Sequence, residues 1–254
     1  FVERYKKFLE RGEAQNPNAP FDAFVYLASH DENPRLMSDL EKNVPANEVE
    51  PRYRLGMCIL MSMSARPLLY QGDEIMQRGW KWDGGADGSG IYDETLREPL
   101  PWYKSNTGAG QTSWQPRNHT AFLPHYDKAD DGISVQEASA DANSTLNLVR
   151  ALSNLRKKHP TFANAPLGRI ISDSAEWLVF ERGNGNDRYV VLINLTSREM
   201  DYGFSDQWYP EHRTASVVFW SDGAGRTWKD QTGNTAPING NVSVPAFGMV
   251  VMKG

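Results

Sequence analysis

In the stretch FDAFVYLASHDENPRL (21–36), an apolar run ends abruptly in His30 and Asp31. An imidazole and a carboxylate delivered together at a strand end are a donor and an acceptor on one rigid mount. In an eight-stranded β/α barrel, that end of the strand is where functional side chains sit. Taken alone, the pair reads as an ordinary strand-ending turn. A second spaced set follows in DETLR, where Asp93 and Arg97 stand one helical turn apart between flanks rich in Gly and Pro. Those flanks argue for a loop. A surface ion pair is the plain reading of the two.

The elements that would carry these residues follow from periodicity. Val2, Tyr5, Phe8 and Leu9 mark one face of a first helix, from Val2 to about Gln15, which NPNAP then breaks. Residues 23–28 form a short, continuously apolar strand, the pattern of a parallel strand buried on both faces. Residues 46–64 read as a long helix with Pro51 near its start. Residues 67–70 read as a second short buried strand, stopped by Gly72. Helix, strand, helix, strand is the order of parallel β/α units. Residues 79–142 are irregular and rich in Gly, Asp, Trp and Pro, and a stretch of that kind inside a packed domain is usually functional.

A capped amphipathic helix comes next. Ser144 is its N-cap, Leu146, Val149, Leu152 and Leu155 its apolar stripe, Lys157 and Lys158 its basic end, and Pro160 its stop. From Leu167 the period changes to two. EWLVFERGNGNDRYVVLINLT is a hairpin around GNGND, and RTASVVFW and NVSVPAFGMVVMKG are further strands. The expected organisation is a β/α part over 1–165 and an antiparallel β domain over 166–254.

Composition bounds the partners. The 254 residues are 39% hydrophobic and 23% charged, as a packed globular protein requires. The net charge is -5 and no basic run stands out, which argues against nucleic acid and anionic membrane surfaces. No apolar run reaches the roughly 18 residues of a membrane span. The 8 Trp, 10 Tyr and 10 Phe could include sugar-stacking faces, but composition cannot separate those from core. The single cysteine, Cys58, excludes an intrachain disulfide and reads as a buried thiol. The chain opens on Phe1 with a helix already under way, so its natural start is expected upstream.

Read together, YLASHDENPR, RPLLYQGDEI, YDETLREPLPW, the helix ending LRKKHP and the β region after it resemble the α-amylase family of glycoside hydrolases (family thirteen). The resemblance covers nearly the whole chain. It implies the C-terminal part of a (β/α)8 TIM barrel, with its seventh and eighth strands, followed by a small antiparallel β-sandwich domain. Ala65 stands where the eighth-strand motif usually begins with Gly, and Ser29 where many members have Asn before the His. The loop WYKSNTGAGQTSWQP is most like bacterial amylases that act on starch and maltooligosaccharides.

Retaining glycosidases use a carboxylate nucleophile and a carboxylic acid about 5–5.5 Å apart, through an oxocarbenium-like transition state. The resemblance assigns Asp31 the third carboxylate, which grips ring hydroxyls more tightly as the ring flattens. It assigns His30 to a hydroxyl of the same sugar, and Asp93 and Arg97 to the neighbouring sugar. Glu74 is expected to tie the strand end to nearby loops, and Arg35 to pair with a carboxylate. The family's nucleophile and acid motifs have no match here, since Asp22 in PFDAF lacks the Arg two residues before it. This implies a C-terminal segment that is inactive alone and needs the N-terminal part of the same barrel.

The resemblance leaves α-glucosidase, glucanotransferase and a non-catalytic carbohydrate-binding derivative as alternatives. It further implies an extracellular or periplasmic location, and calcium held by residues upstream of this segment. Asp83, Asp87 and Asp93 in DGGADGSGIYDE lack the spacing of an EF-hand loop, and a plain loop is favoured there. The Asn-x-Ser/Thr triplets at Asn118, Asn143, Asn194 and Asn241 are too common to carry weight.

Overall fold

The computed structural model describes residues 2–15, 24–64, 66–81, 93–105, 107–112, 130–184, 187–204, 214–229, 235–237 and 241–254. Asp22, Ala65, Asp83, Asp87, Trp114 and Asn118 lie outside these residues.

The first part alternates helices with very short strands. Helix α1 is Val2–Gln15, strand β1 Phe24–Val25, helix α2 Leu36–Asn43, helix α3 Val49–Ser62 and strand β2 Arg66–Pro67. Strands β1 and β2 pair in parallel, Phe24 with Arg66 and Val25 with Pro67, as the β/α reading expects. The ladder is shorter than the apolar runs suggest, and those runs are not buried on both faces. Phe24 is 60% exposed, and Tyr26, Leu68 and Leu69 are exposed too. The physical reason is that each strand has one partner and no second layer over it among the described residues. Continuous apolar strands of this type need cover on both sides.

Helix α3 begins one turn later than the 46–64 pattern suggests, because residues Ala46–Glu48 form a separate 3-10 turn. Pro51 falls within the first α-helical turn, where its missing N–H costs nothing. Helix α2 is not foreshadowed by the periodicity. It has eight residues and no side-chain cap at Arg35, so it relies on burying Met37 and Ser38. On α1, Val2 and Tyr5 are buried while Phe8 is exposed.

Helices α4 (Val135–Ala140), α5 (Thr145–Lys158) and α6 (Pro160–Asn164) follow. Ser144 caps α5 as expected, its Oγ accepting from the N–H of Asn147. The buried face is Leu148, Val149, Ala151, Leu152 and Leu155, whereas Leu146 packs on a smaller cluster with Ile75 and Ile133. Pro160 stops α5 and also starts α6.

The remaining strands are β3 (Leu167–Asp173), β4 (Trp177–Asn184), β5 (Asp187–Asn194), β6 (Met200–Gly203), β7 (Thr214–Ser221), β8 (Thr227–Lys229), β9 (Thr235–Pro237), β10 (Asn241–Val244) and β11 (Met249–Lys253). An antiparallel sheet runs β3-β4-β5-β11-β7-β8, with β9 also on β7. Strands β6 and β10 form a second ladder. Alternation sorts the side chains by face. Leu178, Phe180, Val191, Ile193, Met249 and Val251 join the core under α3 and α5. Trp177, Val179, Val190, Leu192, Val250 and Met252 pack on Val242, Val244 and Phe204.

The helices and the sheet therefore share one core. Each fully buried Leu, Val or Phe there is worth about 1.5–3 kcal/mol relative to exposure. Two guanidinium groups fasten the seam. Arg156 on α5 donates to the carbonyls of Met61, Met63 and Ala163, and Arg182 on β4 donates to those of Ser62 and Ala165. Both cations meet the end of α3, where unpaired carbonyls and the negative end of the helix dipole gather.

Candidate active site

The candidate site is built by the exits of β1 and β2. After β1, Ser29 shapes the turn: its Oγ accepts from the N–H of Asp31 at 3.1 Å and of Glu32 at 3.3 Å. The turn holds His30 and Asp31 outward, 58% and 65% exposed, with Nε2 3.1 Å from Oδ2.

After β2, the chain reverses at Gly72, whose φ of +90° only glycine adopts freely. The turn's centre is Asp73, buried beneath it. Its Oδ2 accepts from the Tyr70 N–H at 2.9 Å, and its Oδ1 receives Arg35 Nη2 at 3.1 Å. Arg35 also donates to the Gln71 carbonyl at 2.6 Å and lies over the Tyr70 ring, 4.8 Å from its centroid. Arg35 does pair with a carboxylate, as expected from sequence. Glu74 accepts from the Gly72 N–H within its own turn, and Asp73 ties the two strand exits together through Arg35. Burial pushes the Asp73 carboxyl up to about 6, against the opposing pull of Arg35 and the Tyr70 N–H.

Tyr70 joins the two halves. Its ring lies 6.5 Å from that of His30, and its hydroxyl donates to the Leu96 carbonyl at 3.1 Å. Burial raises its hydroxyl pKa, while Arg35 and Arg97 draw it back. Gln71 and Gln77 fasten the same segment through the carbonyls of Glu98 and Pro99.

Asp93 and Arg97 flank a single 3-10 turn, Glu94–Leu96, within the irregular stretch. They form an ion pair at 3.1 Å. Arg97 also reaches Asp31 Oδ1 at 3.6 Å, and Lys81 Nζ lies 3.1 Å from Asp93 Oδ1. The result is a line of alternating charge, Lys81, Asp93, Arg97 and Asp31, ending at His30. Asp93 and Arg97, from beyond β2, are thus brought against His30 and Asp31 on the turn after β1. Sequence reasoning missed Lys81, Tyr70 and Asp73. Tyr70 closes the apolar run 67–70 and Asp73 follows it closely, but no local signal marks Lys81. Among the described residues, no group of three or more His, Cys, Asp or Glu side chains is placed to hold a metal.

Adjacent carboxylate and imidazole groups on the turn after β1, with a guanidinium beside them, suit a neutral, hydroxyl-rich ligand. They can accept from and donate to several hydroxyls at once. The family model described as "Alpha amylase, catalytic domain" matches residues 1–165. The chain belongs to the alpha-amylase family.

Its relatives span several activities. Similar curated proteins include the 4-alpha-glucanotransferase of Thermotoga maritima, 25% identical over 153 residues, covering 59% of this chain and 30% of that protein. Alpha-amylase SusG of Bacteroides thetaiotaomicron is 25% identical over 196 residues, covering 71% of this chain and 24% of that protein. Among solved structures, the alpha-amylase from H. orenii superposes with a TM-score of 0.71 at 20% identity, over 99% of this chain and 43% of that one. The trehalose-6-phosphate hydrolase of Bacillus licheniformis gives 0.67 at 16% identity, over the whole of this chain and 47% of that one. The fold is therefore that of alpha-amylase TIM-barrel proteins, here as a barrel part with its following β domain. The chain spans less than half the length of each of these proteins.

Proposed function

We propose that this chain is the C-terminal part of a retaining α-glucan hydrolase that cleaves α-1,4 bonds of starch and maltooligosaccharides. The observation that carries this reading is the meeting of Arg97 with His30 and Asp31 on the turn that follows β1, in a chain of the alpha-amylase family. In this proposal Asp31 stabilises the flattened, positively charged sugar, and His30 binds a hydroxyl of the same ring. Arg97 and Asp93 position the neighbouring sugar. The nucleophile and the acid come from the rest of the barrel, which is this chain's necessary partner. The reading includes an extracellular or periplasmic location, and calcium bound outside this segment.

A second reading is glucanotransfer, favoured by the similarity to the Thermotoga maritima protein. The two differ in whether water or a sugar hydroxyl takes the glycosyl group. One experiment separates them. The full-length protein is incubated with maltoheptaose, and the products are resolved by length. Shorter products with matching new reducing ends support hydrolysis. Products longer than the substrate, without that increase, support transfer. Absence of any glucan conversion would refute both.

A further inference from the structure

Several large apolar side chains stand exposed among the described residues. Phe24, Tyr26, Leu68 and Leu69 sit on or beside the β1–β2 ladder, and Phe8 lies on α1. Trp102 is different: it is 50% exposed on the irregular stretch that follows Arg97.

Its backbone is fixed from both sides. Gln111 Oε1 accepts from the Trp102 N–H at 2.8 Å, and the Trp102 carbonyl accepts from the Gln136 N–H at 3.1 Å. Gln111 Nε2 donates to the Leu100 carbonyl, and Gln136 Oε1 accepts from the Lys104 N–H. The neighbouring Tyr103 is committed to the loop itself. Its hydroxyl donates to the Ala109 carbonyl, and Gly108 lies so close that an added Cβ would clash with the ring. The backbone that carries this half-exposed aromatic face is ordered in advance, so a ligand stacking on it need not order the chain beneath.

The frame is continuous with the site. Leu96, Glu98 and Pro99 are tied through their carbonyls to the β2 exit. Trp102 is five residues beyond Arg97, so their Cα atoms are at most about 18 Å apart. That is within the reach of a short glucan chain running out of the site.

From these observations we infer that Trp102 is an outer stacking platform for an α-glucan, on the Arg97 side of the site. The axial C–H faces of a pyranose pack against the indole. The inference rests on the α-glucan reading above and adds a site to it.

The test uses the full-length protein as wild type, Trp102→Ala and Trp102→Phe. The first readout is kcat/KM on maltoheptaose and on a short chromogenic glucoside. The second is retardation by amylopectin in native gels, which reads binding without turnover. Trp102→Ala should lower kcat/KM on the long chain about three- to tenfold and affect the short substrate far less. Trp102→Phe should recover most of the loss, and retardation should weaken in the Ala variant alone. Equal losses on both substrates, or no loss on either, would overturn the platform. A wild type that amylopectin retards but that converts no glucan would sink the catalytic reading, and the gel comparison would still decide for or against Trp102. A wild type neither retarded nor active would sink both.

Discussion

Arg35 and Asp73, 2% and 1% exposed, meet at 3.1 Å beneath the exits of the two parallel strands. The pair stands under the candidate site and not in it. It fixes Tyr70, which in turn touches both the His30 side and the Leu96 carbonyl. Removing one partner leaves the other as a buried charge. Asp73→Ala should therefore cost about 3–5 kcal/mol of stability in the full-length protein, measured by denaturant unfolding. A loss below 1 kcal/mol would mean the pair is dispensable.

Asp73 also gives a pH dependence of definite sign. Its carboxyl is pushed up to about 6 in the folded state, from an ordinary 3.8. Between those values the folded protein holds a proton that the unfolded chain has released. The Asp73 contribution to stability thus grows as pH falls from about 6 towards 4, and is constant above about 6. Asp73→Asn should remove this component. Identical pH slopes for variant and wild type across that window would contradict the assignment.

On the proposed hydrolase reading, Asp31→Asn in the full-length protein should lower kcat by about 10²-fold or more, with KM moving much less, because the contact proposed for it strengthens mainly in the transition state. Near-wild-type kcat would show that the essential third carboxylate lies elsewhere.

Arg97 touches Asp31 as well as Asp93, so its loss should reach beyond one sugar subsite. Arg97→Ala should reduce kcat/KM roughly tenfold even on a short chromogenic glucoside, and also change the product lengths from long glucans. An unaffected short substrate would confine Arg97 to the neighbouring sugar.

Cys58 is a control on the core. Burial pushes its thiol up to about 12, with Ser221 Oγ at 3.3 Å the only counterweight. The native protein should leave a disulfide reagent unreacted at pH 8 and release a thiol signal only on unfolding. Rapid native reaction would place Cys58 at the surface.

Much of this architecture can be read from local pattern. The cap at Ser144, the hairpin around GNGND and the change of period at Leu167 are all features of a few consecutive residues, and each appears where its chemistry demands. The His30–Asp31 pair was legible because it ends an apolar run. What escaped depends on residues distant in sequence. Nothing local distinguishes Asp73 from Glu74 in QGDE, and only Arg35, thirty-eight positions earlier, makes Asp73 the acid that matters. The turn-closing role of Ser29 escaped for a different reason: a hydroxyl that closes a turn resembles any other serine until the turn exists. Helix α2 was too short for its period to register.

Arg156 and Arg182 carry a consequence for any exchange of parts between relatives. Both side chains serve the carbonyl end of α3, but one belongs to a helix and the other to the β-sheet. The sheet is thus no interchangeable cassette. A chimera joined at residue 165 that imported a foreign sheet without an arginine in the place of Arg182 would leave the Ser62 carbonyl bare, four residues from β2 and the strand exit that bears Tyr70 and Asp73. Grafting across this seam should transplant function only when the donor's guanidinium comes with it.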